Sequence, residues 1–261
     1  MSTGGAFLRR CGAAATAAAL LCALPAAART LAEVQARGTL SMCANPDALP
    51  HASNRPETPG FQVEIGRALA AALGLPLEVD WIVPRIRASV VDCDLLFDTI
   101  ADPELQRGPM KLSHPYQKSG VALALRPGSD AVRGFRDLEP EQRVGVMVGS
   151  VASMRLDQRG LHTVPYAFEA DMIEDLAHAR LDACAVSPAS IAYFIHAHPD
   201  AGLRYVHAYD AEPELRWELA VALRRSDDRL LAAVNAALDK LIDDGTLARI
   251  YARYGVDYRR P

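Results

Sequence analysis

The stretch CDLLFDTIADPELQRGPMKLSHPYQKSGVALAL, residues 93–125, decides how this chain folds. It begins with a short apolar run at 93–97 and ends with another at 121–125. Both runs are typical of buried strands. The segment between them holds several charges, prolines and a single arginine, and it fits neither a strand nor a helix. The two runs are therefore predicted to be strands joined by a long polar loop.

A strand, a helix and a second strand precede this stretch. The first strand begins in TLSMCANPD (39–47), and the second is predicted at 75–83, where apolar and polar residues alternate. The helix is predicted over 61–74, because every fourth residue from Phe61 to Leu73 is large and apolar. A strand, helix and strand in succession indicate a parallel sheet with a right-handed crossover.

The same pattern starts again after residue 125. Strands are predicted at 143–150, 162–168 and 182–187. Helices are predicted after the first of these strands and over 169–181 and 187–199. The middle of the chain is therefore predicted to form a second α/β unit.

The last segment returns to the first unit. A strand is predicted at 215–225, followed by helices over 226–245 and 246–256. The predicted fold class is α/β and bilobed, with strands at 121–125 and 218–223 as a double hinge. The predicted lobes are residues 29–122 with 218–261, and residues 123–217.

The N-terminus has the pattern of an export signal. Arg9 and Arg10 precede an apolar run at 13–24, and small residues at 26–28 suit a cleavage site. The run is too short to anchor a mature protein in a bilayer. Residues 1–28 are therefore predicted to be a cleaved signal peptide, and the mature protein is predicted to be periplasmic. The paired arginines leave both the general secretory and the twin-arginine pathway open.

The overall charge narrows the choice of partners. The chain carries a formal net charge of −4 at pH 7, and half of its residues are apolar. A surface that neutralises phosphates should be basic, so nucleic acid is not predicted as a partner. We expect a soluble monomer that binds a small molecule.

Four loops follow strands and are predicted to face one cleft: 45–60, 98–113, 149–153 and 187–190. In open parallel sheets, ligands bind beyond the carboxyl ends of the strands. The polar loop at 98–113 is thus predicted to be cleft wall. The candidate ligand-binding residues in these loops are Asn45, His51, Asp98, Thr99, Arg107, Gly149, Ser150 and Ser187.

Two of these candidates can be interpreted from local chemistry. Gly149 and Ser150 end a predicted strand and open a helix, where backbone N–H groups favour an anion. The alternative is that Ser150 simply caps the helix. Asp98 follows an apolar run and could accept a hydrogen bond from an amine or hydroxyl of a ligand. Its alternative role is to cap the following turn.

In several motifs the chain resembles the periplasmic solute-binding proteins of family 3, the polar amino acid receptors of ABC importers. The motifs, in chain order, are GFQVEIGRALAAALGLPLEV, CDLLFD…SHPYQKSGVALAL, RVGVMVGS, LDACAVSPASIAYF and DKLIDDGTLARIYARYGV. Within that family, CANPDALPHASN, AVSPASIAYF and the ending YGV resemble the accessory proteins associated with quinoprotein methanol and alcohol dehydrogenases.

The resemblance implies roles for individual residues. Arg107 lies where the receptors place an arginine that clamps a ligand carboxylate, a task suited to the planar guanidinium. The alternative is a solvated loop arginine. His51 stands where the accessory proteins tend to have an aromatic residue. Ser187 stands where amino acid receptors usually carry an aspartate for the ligand ammonium, which argues against an α-amino acid ligand.

Three cysteines remain after the predicted cleavage: Cys43, Cys93 and Cys184. In the fold that the resemblance implies, the strands of Cys43 and Cys93 are neighbours, so a disulfide between them is expected. The alternative is that all three are small buried apolar residues. Asp94, beside Cys93, is predicted to be structural. No cysteine or histidine spacing suits a metal, and neither a metal nor a cofactor is predicted.

The resemblance implies a non-catalytic protein that captures a small polar or acidic solute and delivers it to the permease of an ABC importer. One alternative is an accessory protein that assists a periplasmic quinoprotein dehydrogenase. The other is a dehydratase on the same fold. A dehydratase needs a positioned general acid, and the four loops offer only Glu57 and Glu104 as glutamates, so an enzyme is not predicted.

Overall fold

A computed structural model describes residues 29–82, 93–102, 104 and 110–261. Arg107 and the predicted signal peptide lie outside the described residues. The strands are β1 (Leu40–Ala44), β2 (Asp47–Ala48), β3 (Ala52–Ser53), β4 (Leu77–Trp81), β5 (Leu95–Ile100), β6 (Met110–Leu112), β7 (Gln117–Gly120), β8 (Ala122–Leu125), β9 (Arg143–Met147), β10 (His162–Tyr166), β11 (Ala183–Val186), β12 (Arg204–Val206) and β13 (Arg216–Arg224). The α-helices are α1 (Leu31–Arg37), α2 (Phe61–Ala72), α3 (Val151–Gln158), α4 (Glu169–Ala177), α5 (Pro188–Ala197), α6 (Asp228–Asp243) and α7 (Thr246–Ala252).

The first lobe is built on a sheet with the strand order β4-β1-β5-β13-β6, and β7 also pairs with β13. Strands β4, β1 and β5 run parallel, whereas β13 runs antiparallel to its neighbours. Helices α2, α6 and α7 pack together on this lobe. Their apolar faces, which include Phe61, Ile65, Val234 and Tyr251, are buried in one core with the sheet.

The second lobe is built on a sheet with the order β10-β9-β11-β8-β12. Strands β10, β9 and β11 are parallel, and β8 is antiparallel to β11 and β12. Helix α3 packs on β9 and β10, and α4 packs on β9 and β11. The two faces of the sheet bury separate clusters of apolar side chains.

The chain crosses between the lobes at the carboxyl ends of the parallel strands. It leaves the first sheet after Gly120 and enters the second at Ala122, which pairs with Val186 at the end of β11. It returns at β13, whose Leu219 pairs with Ile100 at the end of β5. Because both crossings join these two edges, the carboxyl edges of the sheets face each other across a cleft.

Several elements of the first lobe were not predicted, among them α1, β6 and β7. Thr30 and Glu33 form a capping box that opens α1. Strand β6 lies inside the segment predicted to be loop. Strand β7 has the polar sequence QKSG, yet Gln117, Ser119 and Gly120 are buried because β7 pairs with β13. A polar strand that is buried by its neighbours shows no apolar alternation.

Helix α5 of the second lobe packs against the first lobe and against the residues that follow α7. Ala189 and Ala192 of α5 belong to the buried core of the first lobe, and the rings of Tyr193 and Tyr254 are 6.3 Å apart. Gly255 has a φ of 69°, and a Cβ at this position would lie 2.4 Å from the Cβ of His196. Glycine therefore permits the close approach between the end of α7 and α5.

Cys43 and Cys93 form a disulfide, with their Cα atoms 5.6 Å apart, and Cys184 is a buried free thiol. Burial raises the pKa of that thiol, so it stays protonated. Next to the disulfide, the buried carboxylate of Asp94 accepts hydrogen bonds from Ser41 and Arg29. Asp94 therefore has a structural role, as the sequence predicted. Across the described ranges, no helix is both long and apolar enough to cross a membrane.

Candidate ligand-binding site

Strand β5 contains a bulge at the edge of the cleft. Its register with β13 shifts between Ala220 and Ala222, which pair with Thr99 and Leu96, so two residues of β5 lie opposite Val221. One of them is Asp98, whose φ is 54°. Left-handed backbone is uncommon outside glycine, and aspartate tolerates it better than most residues. Bulges re-aim side chains, and this one aims Asp98 into a network of polar side chains.

Both carboxylate oxygens of Asp98 accept hydrogen bonds from buried or half-buried donors. The hydroxyl of Tyr116 donates to Oδ1 at 2.5 Å. Oδ2 lies 2.8 Å from Nδ1 of His51 and accepts from the amide of Gln62 at 2.5 Å. Tyr116 itself is fully buried, and its hydroxyl also accepts from the backbone N–H of Asp98. Asp98 is therefore the centre of a preformed wall rather than a free carboxylate.

The start of α2 holds His51 in this wall. The carbonyl oxygens of Pro50 and His51 accept from the N–H groups of Phe61 and Gln62, which satisfies two donors at the helix N-terminus. Gly60 has a φ of 87°, and a Cβ there would lie 2.5 Å from the carbonyl oxygen of His51. Only glycine fits between the loop and the helix at this distance. The His51 ring also packs edge-on against Phe61 at 4.9 Å.

The electrostatics of the network keep His51 and Asp98 charged. Burial lowers the pKa of His51, but the hydrogen bond and charge of Asp98, with the charge of Glu169, outweigh it and raise the pKa above 6.5. Burial raises the pKa of Asp98, but the hydrogen bond and charge of His51, with the bonds from Tyr116 and Gln62, bring it below 3.8. An imidazolium–carboxylate pair therefore exists between these two values.

The second lobe supplies the opposite wall. Ser187 follows β11, and its backbone N–H donates to Oε1 of Glu169, the first residue of α4, at 2.8 Å. The charge of Glu169 also contributes to the raised pKa of His51 on the first lobe. Ser187 is the N-cap of α5 and precedes Pro188, but its side chain makes no capping hydrogen bond.

The rest of this wall is open and apolar. Four large apolar side chains are exposed where β9 and β10 end and α3 and α4 begin: Val148, Val151, Met154 and Phe168. A cavity of about 550 Å³ lies along α3, and its lining includes Gly149, Ser150, Val151 and Met154 but neither His51 nor Asp98. The Ser150 hydroxyl accepts from the N–H of Ser153, so it is used as the helix cap.

The structure gathers only some of the predicted site residues. His51 and Asp98 are in direct contact, and Thr99 is half-buried beside them on β5. Asn45 is exposed, and its side chain accepts from the N–H of Asp47 within a turn. Gly149 and Ser150 lie on the opposite wall with Ser187, and Arg107 lies outside the described residues.

Sequence reasoning missed three residues of the site: Gln62, Tyr116 and Glu169. Gln62 lies next to the apolar stripe of a predicted helix, and Tyr116 lies between the predicted cleft loop at 98–113 and the predicted strand at 121–125. Glu169 opens a predicted helix just after a strand. Its place at a strand-to-helix junction, where cleft residues gather, was the one available signal.

Comparisons with known proteins agree with this two-lobed arrangement. The L-cystine-binding protein TcyJ of Escherichia coli is 27% identical over 206 residues, which cover 76% of this chain and 75% of that protein. The L-arginine-binding protein of Pseudomonas aeruginosa is 25% identical over 206 residues, covering 75% and 78% of the two chains. The solved structure of an ancestral cationic amino acid solute-binding protein superposes with a TM-score of 0.74 at 23% identity, covering 86% of this chain and 98% of that one.

The family model for bacterial extracellular solute-binding proteins of family 3 matches residues 40–257, which include both lobes and both walls of the cleft. The chain belongs to the bacterial extracellular solute-binding proteins, family 3.

Proposed function

We propose that this protein is a non-catalytic periplasmic receptor that closes its two lobes over a small polar solute and delivers it to an ABC importer permease. The observation that carries the proposal is the pair of facing walls. The network around Asp98 lies on one side, and Glu169 with Ser187 lies on the other. A solute that contacts both walls stabilises the closed form by its preference for that form.

A solute of the amino acid class is supported by the relatives, whose names specify L-cystine and L-arginine. The polar groups on both walls suit a ligand that carries several hydrogen-bonding groups. Ser187 stands where amino acid receptors usually carry an aspartate, and this serine by itself argues against an amino acid ligand. We propose that Glu169, held by the backbone of Ser187, supplies a carboxylate at nearly the same place.

A binding role rather than catalysis fits the state of the cleft carboxylate on the first lobe. A general acid must be protonated when it meets the substrate. Three internal donors, His51, Gln62 and Tyr116, bond to the two oxygens of Asp98 and help to lower its pKa. Such a carboxylate stays ionised and orients its neighbours, so it is poorly suited to donate a proton to a substrate.

A thermal-shift screen of the mature chain tests the proposal. The panel contains L-cystine, L-arginine, L-histidine, small dicarboxylic acids and short alcohols. A ligand at one hundred times its dissociation constant stabilises the folded state by about 2.7 kcal/mol, so at least one amino acid should raise the melting temperature clearly. An unchanged melting temperature with every compound would overturn solute capture.

A second candidate function is that of an accessory protein for a periplasmic quinoprotein methanol or alcohol dehydrogenase. The four exposed apolar side chains on the second lobe favour it, because apolar groups that gather at one place on a surface often mark a protein interface. Under this alternative, an immobilised wild-type chain retains a purified quinoprotein dehydrogenase, and a Val148→Ser, Phe168→Ser variant does not. Equal recovery with both chains, or none with either, contradicts it.

A further inference from the structure

We propose that the residues after α7 form a strap that restrains the angle between the two lobes. We call residues 256–261 the C-terminal strap. The two strand crossings connect the lobes through the backbone, and the strap adds a third link through side chains. The match to the family model ends at residue 257, so residues 258–261 lie beyond it. The proposal goes beyond solute capture, because it concerns how the lobes move and its test needs no ligand.

The backbone of the strap is fixed on the first lobe. The Tyr258 ring stacks on Tyr251 with the centroids 5.3 Å apart, and its hydroxyl donates to the carbonyl oxygen of Tyr116 at 2.7 Å. The carbonyl oxygen of Arg259 accepts from the N–H of Lys118 in β7 at 2.9 Å. The strap therefore lies along β7, whose other edge pairs with β13.

Two side chains of the strap reach the second lobe. Nη1 of Arg259 donates to Oδ2 of Asp210 at 2.8 Å and to the hydroxyl of Tyr209 at 3.2 Å. The Arg259 guanidinium also lies 5.4 Å from the centroid of the Tyr209 ring, within cation–π distance. Oδ2 of Asp257 lies 3.5 Å from Nε2 of His207. Tyr209 belongs to a buried core cluster of the second lobe, so these contacts bridge the lobes.

The contacts with the second lobe lie beside one of the crossings. A Cβ at Gly120 would lie 2.5 Å from Cγ of Tyr209 and 2.4 Å from the carbonyl oxygen of Leu215, so Tyr209 packs directly against the end of β7. A rotation of the second lobe about this point changes the distances from Tyr209 and Asp210 to a strap that is fixed on the first lobe. Hydrogen bonds weaken steeply when their geometry changes. Arg259 therefore favours the arrangement of the lobes in which its bonds are made.

The next residue of the strap provides a matched control. Nη2 of Arg260 donates to Oδ1 of Asp243 at 2.6 Å, and Asp243 lies in α6 of the first lobe. Arg259→Gln and Arg260→Gln each remove one positive charge and one ion pair from the strap, but only the first removes a link between the lobes. The carbonyl oxygen of residue 259 is unchanged in both, so the strap stays paired with Lys118. Asp210→Asn weakens the same link from the second lobe.

The experiment measures the distance between the lobes in the mature chain without a ligand. Nitroxide labels are attached at Ala72→Cys in α2 and Glu174→Cys in α4, which are exposed positions on different lobes. Cys184 is buried, and Cys43 and Cys93 are bonded to each other, so the labels go to the introduced cysteines. Double electron–electron resonance then gives the distribution of distances for each strap variant.

Arg259→Gln should widen this distribution about 1.5-fold, because the lobes then sample angles that the strap disfavours. Asp210→Asn should widen it less, since the contacts of Arg259 with Tyr209 remain. The double variant should be no wider than Arg259→Gln, as expected for two partners in one interaction. Arg260→Gln should match the wild type.

Two results would overturn the proposal. One is a distribution for Arg259→Gln that equals that of the wild type. The other is an equal widening by Arg260→Gln, which would mean that the charge of the strap matters and the link between the lobes does not. Melting curves verify that every labelled variant is folded.

Discussion

The two walls of the cleft are built on opposite principles. On the first lobe, Asp98 is held by His51, Gln62 and Tyr116 in a network that is complete without a ligand. On the second lobe, Glu169 has one backbone partner, and the apolar side chains around the ends of β9 and β10 are exposed. One wall uses its interactions to stabilise the fold, and the other leaves them available for binding.

The difference arises from local backbone structure. The wall of the first lobe depends on a bulge in β5 and on Gly60, which brings the His51 loop against α2. The wall of the second lobe consists of plain strand-to-helix junctions, in which Ser150 caps α3 and Ser187 precedes α5. A preorganised wall lowers the cost of ordering groups on binding.

Of the substitutions that test this difference between the walls, removal of the Asp98 carboxylate should change the free energy of unfolding most. Asp98→Ala leaves His51, Gln62 and Tyr116 without their acceptor and places alanine at a φ of 54°. Unpaired buried donors cost about 1–3 kcal/mol each, and part of this is recovered by water, so we expect a loss of about 3 kcal/mol in the free energy of unfolding. Urea denaturation measures it.

The control for this prediction is Asp98→Asn. Asparagine tolerates left-handed backbone and keeps one acceptor oxygen, so it should be destabilised by roughly half as much as Asp98→Ala. A free energy of unfolding for Asp98→Ala within about 1 kcal/mol of the wild type would mean that the first wall does not depend on the carboxylate.

The pH dependence of stability should show a smaller effect of the same network. The folded-state pKa of His51 is raised, so its contribution is complete below its ordinary pKa of 6.5 and is lost as the pH rises through the folded value. The pKa of Asp98 is lowered, so its contribution is present above 3.8 and is lost as the pH falls through the folded value. The pair should therefore stabilise the fold most between these two ordinary values.

The comparison with His51→Gln isolates this contribution. Glutamine can still donate to Asp98 but does not titrate, so the advantage of the wild type over the variant should shrink as the pH rises from 6.5 through the raised pKa of His51 in the folded state. Burial lowers the pKa of His207, which acts in the opposite direction, but His207 is present in both proteins and cancels in the difference. A stability difference that stays constant with pH would contradict the imidazolium–carboxylate pair.

The sequence predicted the frame of the molecule better than its site. The βαβ units follow from apolar periodicity, because helices such as α2 and α6 bury one regular face. The partners of Asp98 lie 47, 36 and 18 positions away in the chain, at His51, Gln62 and Tyr116. No local pattern encodes contacts between such distant residues, which depend on how the loop, helix and strand come together.

The smallest expected effect concerns the apolar surface of the second wall. Val148 is 67% exposed, and Val146, two residues earlier on β9, is fully buried. Val148→Ser should change the free energy of unfolding by less than about 0.5 kcal/mol, whereas Val146→Ser should cost about 2–3 kcal/mol through lost packing and a buried hydroxyl. Parallel urea denaturation of the two variants measures both.

A loss above about 1 kcal/mol for Val148→Ser would mean that this side chain is packed in the folded protein, and the contrast between the walls would disappear. A negligible loss has a further consequence. Apolar surface that contributes nothing to folding is still covered by water, and each square ångström buried when the lobes close is worth about 25 cal/mol. Burial of this apolar surface, by closure over a solute or by contact with a partner, would therefore stabilise the closed or bound form.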